Sequence, residues 1–188
     1  SFTASHGGYR AVTLSWKEST NATRYNIYSA DTFYGQKVQC GEAKAGVTNL
    51  TLQEKSGSDK YYYITAVNAA GEESSFSNYA RGSTLAVPIV VVEPNSNGTS
   101  ATVFWWIQNS YLETYASNLI FELEYSPAQG GLTETKTISY DEAKTDDSRS
   151  FKTTLTSLSP NTTYSYQISA TVIDDQSNAE TSEKQTFD

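Results

Sequence analysis

Apolar and polar positions alternate with a period of two in several short stretches, and no window settles into the spacing of an amphipathic helix. Strict alternation predicts a strand with one face in a core and one in water. Val12, Leu14 and Trp16 form such a triplet. Tyr25 and Ile27 follow within residues 24–28, and Leu50 and Leu52 within residues 47–52. In residues 60–67, Tyr62, Ile64 and Ala66 alternate with Tyr61, Tyr63, Thr65 and Val67, aromatic and β-branched residues that favour a pleated strand. Residues 78–84 predict a last strand, and Gly35, Gly41, Gly46, Gly57 and Gly71 punctuate the gaps.

The same succession returns in the second half. Ala101, Val103 and Trp105 repeat the first triplet, Phe121, Leu123 and Tyr125 match Tyr25 and Ile27, and residues 164–172 repeat the tyrosine-rich strand. Such self-similarity predicts two copies of one all-β domain, residues 1–86 and 87–188. Each is long enough to bury a core without a disulfide or metal. Val87-Pro88 marks the boundary, because proline fixes its own φ and holds its predecessor extended.

These residues resemble the fibronectin type III module, an immunoglobulin-like β-sandwich of seven strands in two antiparallel sheets. In the second copy Leu158-Ser159-Pro160-Asn161-Thr162-Thr163-Tyr164 is similar to the L-x-P-x-T-x-Y run that enters the family's strand F. The resemblance makes Tyr164 the tyrosine corner, supported by Leu158 and Pro160, and Trp105 the strand B tryptophan. In the first copy Trp16 takes that place, Leu50 falls on strand E, and Ile64, Ala66, Asn68 and Gly71 match V-x-A-x-N-x-x-G. The first copy departs from the pattern at the corner. Lys60 stands where the tyrosine belongs, leaving Tyr61 or Tyr62 as substitutes. The tyrosine-rich strand looks most like bacterial versions of the module.

Composition narrows the chemistry. The 14 Tyr, 7 Phe and 3 Trp supply large rings for a thin sandwich core. Cys40 is the single cysteine, so disulfide-rich scaffolds are excluded and either a reducing compartment or a cysteine-poor exported bacterial protein is open. Its expected role is a small filler or an inert surface thiol. Without methionine the chain is expected to be part of something longer. No apolar run approaches a membrane span. Residues 1–87 carry eight Lys/Arg and seven Asp/Glu, net +1, whereas residues 88–188 carry five and fourteen, net −9. An acidic second half disfavours nucleic acid and anionic lipid.

Catalysis finds little support. His6, the one histidine, is expected in a segment before the first strand, away from any nucleophile. One His and one Cys do not make a zinc site. Glu122 and Glu124 share the solvated face of a strand, not opposite walls of a cleft. The reading is therefore non-enzymatic, without cofactor or metal. Two functions fit it: a spacer or protein-interaction unit of a larger exported bacterial protein, extracellular or at the cell surface, or a carbohydrate-binding accessory region of a polysaccharide-degrading enzyme. A host-directed adhesin is a further possibility. If Trp105 faces inward, Trp106 faces outward. With Tyr111 and Tyr115, from the longer connection after it, Trp106 is the candidate ligand-binding platform for a protein or polysaccharide.

Overall fold

The triplet Val12, Leu14 and Trp16 is buried on the strand Ala11–Trp16, with Thr13 and Ser15 exposed between them. A computed structural model describes residues 1–147 and 149–188. The chain divides into two units, Ser1–Leu85 and Ala86–Asp188.

In the first unit the strands are β1 (Phe2–Ala4), β2 (His6–Gly8), β3 (Ala11–Trp16), β4 (Arg24–Ala30), β5 (Val38–Lys44), β6 (Asn49–Gln53), β7 (Asp59–Val67) and β8 (Ala80–Thr84). They form two sheets, β1-β3-β6 and β2-β8-β7-β4-β5. Val12, Leu14, Trp16, Tyr25, Ile27, Ala43, Tyr62 and Ile64 fill the space between them, with Leu50 and Leu52 packed against the edge.

The first strand changes sheets at Ser5. Its N–H donates to the Thr13 carbonyl (2.9 Å), its hydroxyl accepts from the Thr13 N–H (2.9 Å), and its carbonyl accepts from the Ser83 N–H (3.2 Å). β2 then runs parallel to β8. This corrects the expected place of His6, which is half-buried on β2 with Nδ1 3.1 Å from Ser83 Oγ. Burial lowers its pKa. A Cβ at Gly82 would lie 2.6 Å from Val12 Cγ1, so β8 crosses the core there only as glycine.

The second unit repeats the plan with β9 (Ile89–Pro94), β10 (Ala101–Trp106), β11 (Leu119–Pro127), β12 (Glu134–Ser139), β13 (Ser150–Leu155), β14 (Tyr164–Val172), β15 (Ala179–Thr181) and β16 (Gln185–Phe187). One sheet is β13-β10-β9. The other is β12-β11-β14-β15, with β16 also on β14, so the last strand is in two pieces. Trp105, Phe121 and Phe151 form the centre of the core, their ring centroids 4.7–5.9 Å apart. Counting the split first strand of one unit and the split last strand of the other once each, every unit has seven strand positions. Both are immunoglobulin-like sandwiches of the fibronectin type III kind.

Two short helices depart from the all-strand expectation. α1 (Leu112–Tyr115) lies in the long connection, and α2 (Tyr140–Ala143) is closed by a capping box between Ser139 and Glu142. Single turns of four residues leave no periodicity for a window to detect.

The two corners differ. Tyr164 Oη accepts the Ser159 N–H at 2.9 Å, closing the loop over buried Leu158, while Pro160 lies exposed in the turn. In the first unit a carboxylate takes over. Glu54 accepts from the Tyr62 hydroxyl (2.9 Å), the Ser58 hydroxyl (3.1 Å) and the Lys60 ammonium (2.9 Å), and its own N–H donates to the Arg10 carbonyl. Lys60 thus occupies the corner position by ion pairing, and Tyr62, fully buried, supplies the hydroxyl.

Replacing Tyr164 with Phe strands the Ser159 N–H. The second unit should lose about 1–2 kcal/mol of stability. Urea unfolding of the intact chain, resolved by amide exchange along β14, reads the loss; unchanged protection there would show the corner bond contributes nothing.

Candidate functional site: an aromatic sheet face

The register that buries Tyr62 and Ile64 turns Tyr61, Tyr63 and Thr65 to the opposite face of β7. β4 contributes the facing row, pairing Asn26 with Thr65, Tyr28 with Tyr63 and Ala30 with Tyr61. Two loops add rings: Phe33 and Tyr34 follow β4, and Phe76 and Tyr79 precede β8. Phe76 stands edge-on to Tyr28 (5.0 Å) and Tyr63 (5.9 Å). Phe33 meets Tyr34 (4.7 Å), Tyr79 (5.3 Å) and Tyr61 (5.9 Å), and the Tyr63 hydroxyl donates to the Phe33 carbonyl, joining the two groups. Tyr34 is 93% exposed, and Phe33, Phe76 and Tyr79 are each nearly half exposed.

The segment carrying Phe76 is held by serines. Ser74 and Ser77 each give their N–H to a carbonyl of β7, at Ala66 and Ile64, and accept that residue's N–H on the side-chain oxygen. Glu73 closes the far end, where the side chains of Tyr28 (2.7 Å), Asn26 (3.1 Å) and Thr65 all donate to Oε1. These bonds, that of Thr65 foremost, hold the Glu73 carboxyl below its ordinary value, and the bond to Glu73 raises the Tyr28 phenol. At the other end Arg81 lies over the Tyr61 ring and makes a two-pronged pair with Asp59. Between them the Lys37 ammonium sits 4.5 Å from the Tyr63 centroid and 5.4 Å from that of Phe76.

The corresponding face of the second unit is polar. β11 presents Glu122 and Glu124, and β14 presents Gln167 and Ser169 opposite them. Gln167 donates to Glu124 at 2.6 Å. The same sandwich therefore stands without rings on this sheet, so the fold itself does not demand them in the first unit.

Of the platform expected from Trp106, Tyr111 and Tyr115, Tyr115 is withdrawn from the surface. Trp106 is half-exposed on β10, in register with Ile89 and Ser150. Tyr111 is half-buried, its N–H bonded to Asn109 Oδ1. Tyr115 is buried together with Leu112 and Ala116, because α1 turns its apolar side into the unit, and its ring offers nothing to a ligand. Burial raises its phenol pKa, and its hydroxyl has no hydrogen-bond partner among the described residues. Of the residues read as structural, Trp16 and Trp105 are buried and Leu50 is half-buried opposite Leu14. Cys40 lies on the edge strand β5 with Sγ 3.6 Å from the Ile27 carbonyl, and desolvation raises its pKa, favouring the unreactive thiol.

Sequence reasoning missed the first-unit face. Its signal was present in Tyr61 and Tyr63, which flank the inward Tyr62. Phe33, Tyr34, Phe76 and Tyr79 lie in loops, where alternation says nothing. No group of three or more His, Cys, Asp or Glu among the described residues is arranged to hold a metal ion, and no helix among them is long and apolar enough to cross a membrane.

Two outcomes follow from these contacts. A carboxyl with a lowered pKa in the folded state stabilises fully above its unfolded value and loses that contribution as pH falls through the folded one. The segment from residue 68 to 74 should therefore loosen in acid, below the ordinary 4.5 of Glu73, and Glu73→Gln should abolish that transition in amide exchange followed against pH. Tyr115→Phe deletes a buried hydroxyl that bonds to nothing, and should raise the unfolding free energy by about 1 kcal/mol in urea denaturation.

No family model matches the chain, and no curated protein matches it. Among solved structures it is similar to the FN1–FN3 domains of chicken CNTN1, at 15% identity and TM-score 0.44, over 100% of this chain and 65% of that one. It is similar to a two-domain fibronectin type III segment of chicken tenascin, at 19% identity and TM-score 0.43, over 100% of this chain and 95% of that one. An Fn3-like protein of Clostridium thermocellum is similar over 46% of this chain and 91% of its own, at 21% identity and TM-score 0.40. What makes each unit a fibronectin type III sandwich is its strand order and register.

Proposed function

We propose that the chain is a non-catalytic pair of modules from a larger exported bacterial protein, acting outside the cell or at its surface. In this reading the first unit is a protein-interaction unit and its aromatic face is the contact surface. One observation carries it: four exposed rings, Phe33, Tyr34, Phe76 and Tyr79, gather over the outer side of β4 and β7 in one unit, while the equivalent strands of the other carry Glu, Gln and Ser. Exposed rings clustered in this way are the material of a binding hot spot.

The geometry favours a protein over a polysaccharide. A run of sugars stacks on ring faces laid in one plane. Here neighbouring rings meet at 61–89°. Such edge-to-face packing leaves ring edges, hydroxyls and clefts, which suit irregular side chains.

A photo-crosslinking residue in place of Tyr34, in the full-length parent protein, should capture a protein partner. The same probe at Thr51, on the outer side of the opposite sheet, should capture none. Tyr34→Ser should reduce binding of the captured partner at least about tenfold, while unfolding free energy changes by less than about 1 kcal/mol, because Tyr34 is 93% exposed. Equal capture at both positions, or retention on insoluble polysaccharide that depends on the same rings, overturns the reading.

A further inference from the structure

We infer that the partner of the aromatic face is a second copy of this chain, whose second unit presents the carboxylates of Glu122 and Glu124 to Lys37. The inference rests on the aromatic face being a contact surface and names what it contacts.

Lys37 is the first observation. Its ammonium is held over the Tyr63 and Phe76 rings and has no carboxylate partner among the described residues. Arg81, by contrast, is already matched by Asp59. Lys37 is therefore a cation among these rings left to receive a carboxylate from outside, and the rings around it remove water that would otherwise screen the pair.

The second observation is the chain's own distribution of charge. The first unit carries eight Lys/Arg against seven Asp/Glu, and the second carries five against fourteen. An encounter between copies is steered so that the first unit of one meets the second unit of the other, since two second units repel.

The third is the chemistry of the receiving sheet. Glu122 is exposed with no hydrogen bond or ion pair among the described residues, and Glu124 lies two residues along on the same side, bonded only to Gln167. Thr135 and Thr137 flank them from β12 and Ser169 from β14. This side is polar and acidic where the first unit's is ringed and carries the Lys37 ammonium. The two are complementary and neither matches itself.

Donor and acceptor faces sit on different units of one chain, so each contact joins unlike surfaces. Two copies that satisfy both contacts reciprocally close as a dimer, and copies that leave one face of each kind open propagate or close into a larger ring.

Sedimentation velocity on the intact chain tests this. At low salt the sedimentation coefficient should rise with concentration from monomer to dimer or larger species, and salt at about 0.5 M should suppress the rise. Lys37→Glu should weaken association at least about tenfold, as should Glu122→Lys with Glu124→Lys. Carrying all three changes in one chain should restore it, and unchanged circular dichroism of each variant shows that folding is intact. A chain that stays monomeric at every concentration overturns the inference. So does assembly indifferent to the charge reversals, or failure of the triple variant to recover. Lys37-dependent binding of polygalacturonate without self-association overturns it too. Capture of an unrelated protein at Tyr34 by a chain that does not self-associate sinks this inference alone; no capture at Tyr34 sinks the interaction reading as well.

Discussion

Glu54 holds the register of β7, and the rest of the first unit depends on that register. The carboxylate takes three donors from β7 and the turn before it: Ser58, Lys60 and Tyr62. A side-chain period of two means that one residue of slip would exchange the inner and outer sets. Tyr62 would move to solvent, and Tyr61 and Tyr63 would be driven into a space already filled by Val12 and the bare backbone of Gly82. By fixing the Tyr62 hydroxyl, Glu54 decides which tyrosines are core and which are surface. The pair it forms with Lys60 is only partly exposed, so it is screened less than an ordinary surface ion pair.

The two copies solve one problem differently. Both must tie the loop before strand F to the strand itself. The second does so with a single neutral bond, from the Ser159 N–H to Tyr164. The first uses an ionic knot of four side chains. Tyr25 adds a further tie, its hydroxyl accepting the Ser19 N–H at 2.7 Å. Freed from a corner tyrosine, the first unit buries Tyr25 and Tyr62 between its sheets, while Tyr28, Tyr61 and Tyr63 line the outer side of β4 and β7, Tyr63 covered by its neighbours.

Much of the fold was legible because strand alternation is a local property. Val12, Leu14 and Trp16 announce β3 without reference to anything distant, and Ala101, Val103 and Trp105 announce β10 in the same way. The L-x-P-x-T-x-Y run located its corner for the same reason. The aromatic face was not legible as a unit. Phe33, Tyr34, Phe76 and Tyr79 come from two loops far apart in sequence, and only the pairing of β4 with β7 brings them together. Tyr115 misled because a single helical turn can bury every third or fourth residue with no longer pattern to betray it. The role of Glu54 was invisible: a lone glutamate after a short strand reads as solvated until its three donors are placed around it.

The parallel pairing of β2 with β8 has a mechanical meaning. The Ser83 N–H reaches the Ser5 carbonyl and the Leu85 N–H reaches the Gly8 carbonyl. Tension that draws Ser1 and Leu85 apart pulls these neighbouring strands along their length in opposite directions. The bonds between them are then loaded in shear, sharing the force, where an antiparallel hairpin pulled open at one end would yield link by link. The sheet-switching strand thus acts as a clasp against stretching.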